Sequence, residues 1–175
     1  MSIRPVWLVL SAILLLAAGC SSYSLVRYDG RLGDVQSVAI VTPLNDSHEP
    51  GIEYVVADAL RREFLRRRGV KLVQNKAAAD LVIQGRVLPI QSRARSFSSV
   101  IQALEYEITL KVELLATLSD GTEISIDSRA TRETERYLAS ADIEVQRKNR
   151  QEALREVSRL VAGRVYDALY ESLVR

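Results

Sequence analysis

The sequence predicts an α+β fold (a two-layer α/β arrangement), in which two helices pack on one face of a mixed β-sheet that contains a long antiparallel hairpin. Apolar side chains recur at helical spacing over residues 52–68, and again along a stretch that begins between Ala141 and Asn149 and runs almost to the C-terminus. Between them, apolar and polar residues alternate over 105–118, as expected for a long half-buried strand. One helix cannot cover such a sheet, so both are expected on the face lined by the even-numbered residues of the hairpin.

Residues 1–19 resemble a bacterial lipoprotein signal peptide. Arg4 precedes an apolar run over 6–16 that is too short to span a bilayer, and small residues follow this run. Leucine is most frequent three positions before the acylated cysteine of such signals, and here that position is Ala17. Cleavage would leave Cys20 at the new N-terminus, with a diacylglycerol on its sulfur and an anchor built from palmitate-type acyl chains.

Cys20 is the only cysteine of the chain, so an intramolecular disulfide is impossible. The alternative is an ordinary secreted protein with a free thiol, which would be unusual in an oxidising compartment. Ser21 follows Cys20, where an aspartate would favour retention in the inner membrane. The sequence therefore predicts a lipid anchor in the outer membrane, on its periplasmic side. Residues 20–33 would form the acylated N-terminus and a short tether, and residues 34–175 a single α/β domain.

The composition argues against several classes of function. Hydrophobic residues at 47% and charged residues at 26% are typical of a globular protein. Removing the one basic residue of the signal from the 24 Lys+Arg leaves 23 against 22 Asp+Glu, without the basic excess of a nucleic-acid binder. The lone His48 and the lone cysteine can assemble neither a zinc site nor a Cys–His nucleophile. We therefore predict a protein that is not an enzyme and has no metal or cofactor.

The elements between the signal and the hairpin follow in chain order. Residues 38–41 form a compact apolar run that predicts a buried strand. The helix over 52–68 ends in three arginines, which suit the negative end of the helix dipole, and Gly69 suits a left-handed cap. The next segments are a short strand, a longer strand and a loop, at 70–73, Asp80 to about Arg95, and 96–102.

The loop of the hairpin can be predicted from the register of its strands. A two-residue turn at Asp120-Gly121 would make the apolar faces of the two strands disagree, whereas a three-residue loop, Ser119–Gly121, makes them agree. Gly121 then takes the left-handed position that this loop requires. A constant register pairs Leu118 with Thr122, Ala116 with Ile124, Leu114 with Ile126, Val112 with Ser128, Leu110 with Ala130, Lys111 with Arg129 and Glu113 with Asp127.

Arginines on the predicted sheet are the residues most open to a functional interpretation. Arg93 and Arg95 share one face of a strand, and Arg86 lies on the opposite face if that strand is regular. Three more arginines lie on the returning strand of the hairpin: Arg129, Arg132 and Arg136. In the constant register, Arg132 would face Ile108 on the buried side. The planar guanidinium donates two parallel hydrogen bonds to a phosphate, so these residues are candidates for anion binding. The alternative is a charged surface that keeps the protein soluble.

Several short motifs follow one another along the chain: Tyr23-Ser24-Leu25 after Cys20, Ile40-Val41-Thr42-Pro43 with Asn45, Gly51-Ile52-Glu53, Ala59-Leu60-Arg61, Ala79-Asp80-Leu81 before Gly85, and Glu105-Tyr106. This order of motifs resembles the LPS-assembly lipoprotein family, LptE. The resemblance covers essentially the whole chain after residue 19. It implies a domain tethered to the inner leaflet of the outer membrane that sits as a plug inside the large β-barrel protein LptD.

The resemblance also implies what the domain contacts. Proteins of this family help the barrel to assemble, bind lipopolysaccharide and support its delivery to the outer leaflet. Lipopolysaccharide binding in the family is attributed to basic residues near the sheet, which we map onto Arg93, Arg95, Arg129 and Arg132.

A different class of outer-membrane lipoprotein shares the strand–helix–strand opening. Its members act as periplasmic modules that activate a peptidoglycan synthase or assemble a secretion pore, and they often carry a long linker after the cysteine. Here only about 15 residues separate Cys20 from the first predicted strand, so the domain must stay near the membrane. The short tether favours the barrel partner.

Overall fold

The computed structural model describes residues 31–97 and 103–174. The predicted signal peptide, Cys20 and most of the predicted tether, together with residues 98–102 of the predicted loop, lie outside this part of the chain. The elements are β1 (Ser37–Ile40), β2 (Leu44–Asn45), α1 (Ile52–Arg67), β3 (Lys71–Leu72), a 3-10 helix (Lys76–Ala78), β4 (Leu81–Val87), β5 (Gln91–Phe97), β6 (Ala103–Leu118), β7 (Glu123–Ser125), β8 (Arg132–Leu138) and α2 (Ile143–Val174). Within the described ranges, no helix combines the length and apolar character that a bilayer span requires.

Strand β6 lies at the centre of an open mixed sheet of 8 strands. On one side it pairs antiparallel with β4 along its C-terminal half and with β5 along its N-terminal half. On the other side it pairs antiparallel with β7 and then with β8. Beyond β4 the sheet continues with β1 and β3, which run parallel to one another and are joined by α1. Two helices and a mixed sheet confirm the predicted α+β fold.

The core lies between the helices and the even-numbered face of β6. Ile108, Leu110, Val112 and Ala116 are all fully buried there, which confirms the face predicted from the alternation. Along each helix, one stripe packs against this face because its apolar positions recur every three to four residues. The buried members of the two stripes are Val56, Leu60 and Phe64 of α1, and Leu154, Val157, Val161, Val165 and Leu169 of α2.

The ends of the helices show one difference from the sequence prediction. Helix α1 ends at Arg67, and Arg68, with φ 57°, takes the left-handed cap while its backbone N–H donates to the Leu65 carbonyl. The cap expected at Gly69 is therefore wrong, because the helix stops one residue earlier than 52–68. Helix α2 starts inside the predicted window, where the Asp142 carboxylate accepts the backbone N–H groups of the next turn.

The hairpin loop forms as predicted. Gly121 has φ 88°, and its N–H donates to the Leu118 carbonyl at 2.9 Å. The Leu118 N–H donates to the Thr122 carbonyl, and Ala116 stands opposite Ile124 in the ladder. The three-residue loop and the register next to it are therefore confirmed.

The constant register fails further along the hairpin, between β7 and β8. A turn forms at 127–130, in which the Asp127 side chain accepts the Arg129 N–H at 2.7 Å. Strand β8 then re-enters the ladder three residues later than a constant register requires, with Lys111 opposite Arg132 and Leu110 opposite Glu133. The pairings expected for Val112 with Ser128, Leu110 with Ala130 and Lys111 with Arg129 are therefore wrong.

An offset of three is odd, so it exchanges the two faces of the returning strand. Ile108 stands opposite Glu135, not Arg132, and Arg132 is exposed on the face away from the helices. The buried side of β8 is taken instead by Thr131, just before the strand, and by Tyr137. The expectation that Arg132 faces the core is therefore wrong.

A smaller offset separates β4 from β5. The predicted strand from Asp80 to about Arg95 is divided by residues 88–90, and the pairing with β6 shifts by one residue across this break. Arg86 stands opposite Glu113 and Arg93 opposite Glu107, so both arginines lie on the face away from the helices. The prediction that Arg86 and Arg93 lie on opposite faces is wrong. Strand β5 also extends to Phe97, into the segment predicted as a loop.

Candidate functional site

The sheet face away from both helices, called here the open face, carries a row of charged residues across three strands. Arg93 of β5, Glu107 of β6 and Arg136 of β8 are direct neighbours in the ladder. Adjacent strands are about 4.8 Å apart, so the backbones of the two arginines flank Glu107 at about 10 Å from each other. Both arginines are exposed. The row presents two guanidinium groups around one carboxylate.

Arg95 joins this row through an irregularity in β5. The pairing with β6 shifts between Ala94 and Ser96, which leaves Arg95 without a ladder partner of its own. Its Nε lies 3.3 Å from Oε2 of Glu107, and half of its side chain is exposed. We call Arg93, Arg95, Arg136 and Glu107 the open-face cluster; three cations against one anion give it a formal charge of about +2.

The positive charge continues along β8 toward the middle of the sheet. Lys111 and Arg132 stand opposite each other on the open face, four residues along β6 from Glu107. Both side chains are exposed. Like charges in this position repel, so the pair is unfavourable unless an anion lies between them. Between the cluster and this pair, Thr109 and Thr134 join β6 to β8 through their hydroxyl groups, at 2.9 Å.

Arg129 is separate from the cluster. It lies in the turn between β7 and β8, where Nη1 of Arg164 approaches its carbonyl oxygen at 3.5 Å. Arg164 also pairs with Glu133 on the helix side of β8, at 2.6 Å. The structure therefore places Arg93, Arg95 and Arg132 on one face and Arg129 at its margin.

Arg136 belongs to the cluster, although the site predicted from the sequence does not include it. The sequence predicts Arg136 on the returning strand, but a constant register gives no reason to expect it near Arg93. The signal available in the sequence was Asp127-Ser128, because Asp followed by Ser favours a local turn that interrupts a ladder.

Most other cations of the surface are already paired. Arg62, Arg66, Arg147, Arg155 and Arg159 each contact an acidic residue three or four positions earlier on the same helix. Within residues 31–97 and 103–174, the cations without an ion pair or side-chain hydrogen bond are Arg68, Lys71, Lys76, Arg93, Lys111, Arg129, Arg132, Arg136 and Lys148. Four of these nine lie on the open face.

No catalytic arrangement accompanies the cluster in the described part of the chain. His48 is exposed before α1, and the neighbouring Glu49 is bound to Arg150, with 2.7 Å between its Oε2 and Nη2 of the arginine. Burial lowers the pKa of Arg150, but its hydrogen bonds to Glu49 and Tyr137 outweigh that and raise the pKa above its ordinary value. Residues 31–97 and 103–174 contain no group of His, Cys, Asp or Glu that could hold a metal ion.

Solved structures share this fold at low sequence identity. Rare lipoprotein B from Shewanella oneidensis is 16% identical, with a TM-score of 0.52 over 79% of this chain and 97% of that chain. A putative lipoprotein from Caulobacter crescentus is 14% identical, with a TM-score of 0.54 over 84% and 96% of the two chains. A minor lipoprotein from Acinetobacter baumannii is 17% identical, with a TM-score of 0.52 over 78% and 92%. At these identities the likeness concerns the fold alone.

No curated protein sequence matches this chain. The model of one protein family does match it, under the description "LptE: Lipopolysaccharide-assembly", over residues 35–169. This match includes all eight strands, helix α1, and α2 as far as Leu169. The chain therefore belongs to the LptE family of lipopolysaccharide-assembly lipoproteins.

Proposed function

We propose that this protein is a non-enzymatic outer-membrane lipoprotein, anchored on the periplasmic side through acylated Cys20, that binds lipopolysaccharide with its open face. Its protein partner in this proposal is an LptD-type β-barrel, inside which the domain sits as a plug, helping the barrel to assemble and lipopolysaccharide to reach the outer leaflet. Membership of the LptE family supports this function. The observation that carries the binding site is the row of Arg93, Glu107 and Arg136, with Arg95 beside it.

The cluster suits the phosphate groups of lipid A. A guanidinium group donates two parallel hydrogen bonds to a phosphate, and such charge-assisted bonds are about twice as strong as neutral ones. Glu107 holds Arg95 at 3.3 Å, so this arginine is already oriented before an anion binds. Arg132, opposite Lys111, offers a second pair of cations further along β8. Arg129, at the margin of the face, has a minor part in the proposed site.

Charge reversal tests the binding site. The variant Arg93→Glu/Arg95→Glu is expected to weaken lipopolysaccharide binding at least tenfold, because charge-assisted hydrogen bonds contribute about 1.5–3 kcal/mol each. A matched control, Lys148→Glu/Arg155→Glu, makes the same change in net charge on α2, and its binding should stay within about twofold of the wild type, because exposed charges contribute little individually. Unchanged binding by the Arg93/Arg95 variant would refute the site. Arg136→Glu should weaken binding in the same direction.

Co-purification tests the partner. The mature lipoprotein, extracted in detergent from an envelope fraction, is expected to retain a large β-barrel protein of the outer membrane. Retention of a peptidoglycan synthase or of secretion-pore subunits would instead support the alternative class of envelope lipoprotein. Intact-mass measurement of the N-terminal peptide tests the anchor: acyl chains should be found on Cys20 and be lost in Cys20→Ala.

A further inference from the structure

Six of the nine unpaired cations of the described residues lie on two well-separated surfaces. One is the open face, which includes the cluster already described. The other lies at the opposite end of the sheet, where Arg68 follows α1 and Lys71 begins β3. Both side chains are exposed and form no ion pair or hydrogen bond with residues 31–97 or 103–174. This contrasts with the helix surface, where most of the arginines are paired with an acidic residue of the same helix.

The chain enters the domain beside these two cations. Leu32 is fully buried, and a Cβ placed on Gly33, which has φ +57°, would lie 2.7 Å from the carbonyl oxygen of Leu173. The entering segment is therefore packed against the C-terminal end of α2. Residues 31, 33–36 and 68–71 together line a concave pocket of about 580 Å³. Whatever precedes residue 31 must leave the domain at this end.

Exposed aliphatic side chains accompany the cations. Leu65, in the last turn of α1, is 58% exposed, and Val174, at the end of α2, is 47% exposed. The N–H of Arg68 donates to the carbonyl of Leu65, so the leucine and the arginine are adjacent. We call Leu65, Arg68, Lys71 and Val174 the tether-side surface. Aliphatic side chains mixed with Lys and Arg favour the headgroup region of a bilayer. There the aliphatic side chains enter the boundary with the acyl chains, and the Lys and Arg side chains bind anionic headgroups.

The tether keeps this surface close to the membrane. Residue 31 is 11 residues after Cys20, and a fully extended chain spans at most about 3.6 Å per residue, or about 40 Å in total. A tether of this length raises the local concentration of lipid headgroups at the surface, so even weak contacts are populated. This step rests on the acylation of Cys20 proposed above.

We propose that the tether-side surface docks on anionic phospholipid headgroups of the leaflet that holds the acyl chains of Cys20. Arg68 and Lys71 bind the headgroup phosphates, and Leu65 and Val174 enter the interface beside them. The docked domain has a defined orientation. Leu118, at the docked end of β6, and Glu107 of the open-face cluster are 11 residues apart on one strand, which is about 37 Å at the rise of an antiparallel strand. Docking therefore directs the cluster away from the anchoring leaflet.

Fluorescence quenching of the acylated protein tests this orientation. Mature lipoprotein is incorporated into vesicles of phosphatidylcholine with about one third phosphatidylglycerol, free of lipopolysaccharide, in which a fraction of lipid carries a headgroup quencher. A fluorophore is attached at Gln74→Cys, near the tether-side surface, or at Ser92→Cys on β5; both positions are exposed. The fluorophore at residue 74 is expected to be quenched strongly, and the fluorophore at residue 92 weakly.

Charge reversal then identifies the contact. Arg68→Glu/Lys71→Glu should lower the ratio of docked to undocked protein by at least about 30-fold, because the loss of each cation removes about a fivefold factor and the new glutamates are repelled by the anionic surface. Lys148→Glu/Arg155→Glu makes the same charge change elsewhere and should leave the ratio unchanged. Salt at about 1 M, where the Debye length is about 3 Å, should also reduce the quenching of the wild type.

Several outcomes would overturn the proposal. Equal quenching at residues 74 and 92 would show an undirected tether, and quenching that persists in vesicles of phosphatidylcholine alone would exclude recognition of anionic lipid. Quenching that appears only after lipopolysaccharide is added would assign the surface to that ligand instead. Failure of the anchor itself is distinguishable, because a protein without acyl chains would not float with the vesicles at all.

Discussion

Two substitutions of glycine by alanine are expected to change stability in opposite directions. Gly85 lies in β4 directly opposite Leu114 of β6. A Cβ at Gly85 would clash with the carbonyl oxygen of Glu113 and lie 3.0 Å from the Cα of Leu114. Both contacts are with backbone, so no change of rotamer can relieve them. At Gly163, in the interior of α2, a Cβ would have no heavy atom within 4 Å apart from its chain neighbours and the adjacent backbone of its own helix.

The magnitudes follow from this geometry. Overpacking costs about 1–3 kcal/mol where side chains can shift. In Gly85→Ala the strands themselves must separate, and each ladder hydrogen bond lost adds about 1 kcal/mol, so the free energy of unfolding should fall by about 3–5 kcal/mol. Gly163→Ala removes the conformational freedom of a helical glycine and should raise the free energy of unfolding by about 0.5–1 kcal/mol.

Thermal unfolding followed by circular dichroism measures both effects. About 2–4 °C per kcal/mol is expected for a domain of this size, so Gly85→Ala should lower the Tm by about 6–20 °C, whereas Gly163→Ala should raise it by about 1–4 °C. Gly163→Ala is the control for the chemical change itself. A Gly85→Ala protein as stable as the wild type would refute the close approach of the β4 and β6 backbones.

Three further predictions concern single side chains. Phe64→Ala should lower the free energy of unfolding by about 3–5 kcal/mol in denaturant titrations, because Phe64 is fully buried and its ring meets that of Tyr166 edge to face at 5.0 Å; Phe64→Leu should cost less. The Ser37 hydroxyl and then two backbone N–H groups hold the pKa of Asp80 below its ordinary value. This contribution to stability is present above the unfolded pKa and is lost as the pH falls through the folded one, so Asp80→Asn should show a weaker loss of stability on acidification than the wild type. Gly121→Ala should destabilise the hairpin by about 1–2 kcal/mol, because φ 88° is unfavourable for a residue with a Cβ, and a melt unchanged from the wild type would contradict this.

Features that depend on local sequence could be predicted. Pairings that depend on how many residues the intervening turns contain could not. The loop ending at Gly121 was predictable because one glycine and two apolar faces constrain it together. The pairing of Arg132 was not, because a turn starting at Asp127 inserts an odd number of residues and every later side chain changes face. Local composition cannot reveal such an offset, since all five residues of 132–136, Arg-Glu-Thr-Glu-Arg, are polar and either face could be the exposed one.

The same reasoning explains why the candidate site was only partly predictable. Arg93 and Arg95 could be recognised as candidates on their own strand, but their partners depend on how three strands align. Arg136 stands opposite Glu107 only because of the offset before β8. Arg129 lies outside the cluster for the same reason, because it is part of the turn that creates the offset.

The central position of β6 has a consequence for the order in which the fold assembles. Its pairings with β5, β7 and β8 connect residues within 91–138, so they close short loops. Arg67 and Asp167, which join the two helices, are 100 residues apart, and contacts between distant residues form late because their loop closure costs more entropy. In pulsed hydrogen exchange during refolding, we expect the amides of β6 to become protected before those of β1. The contacts between the two helices should form last, after β5, β7 and β8 have paired with β6.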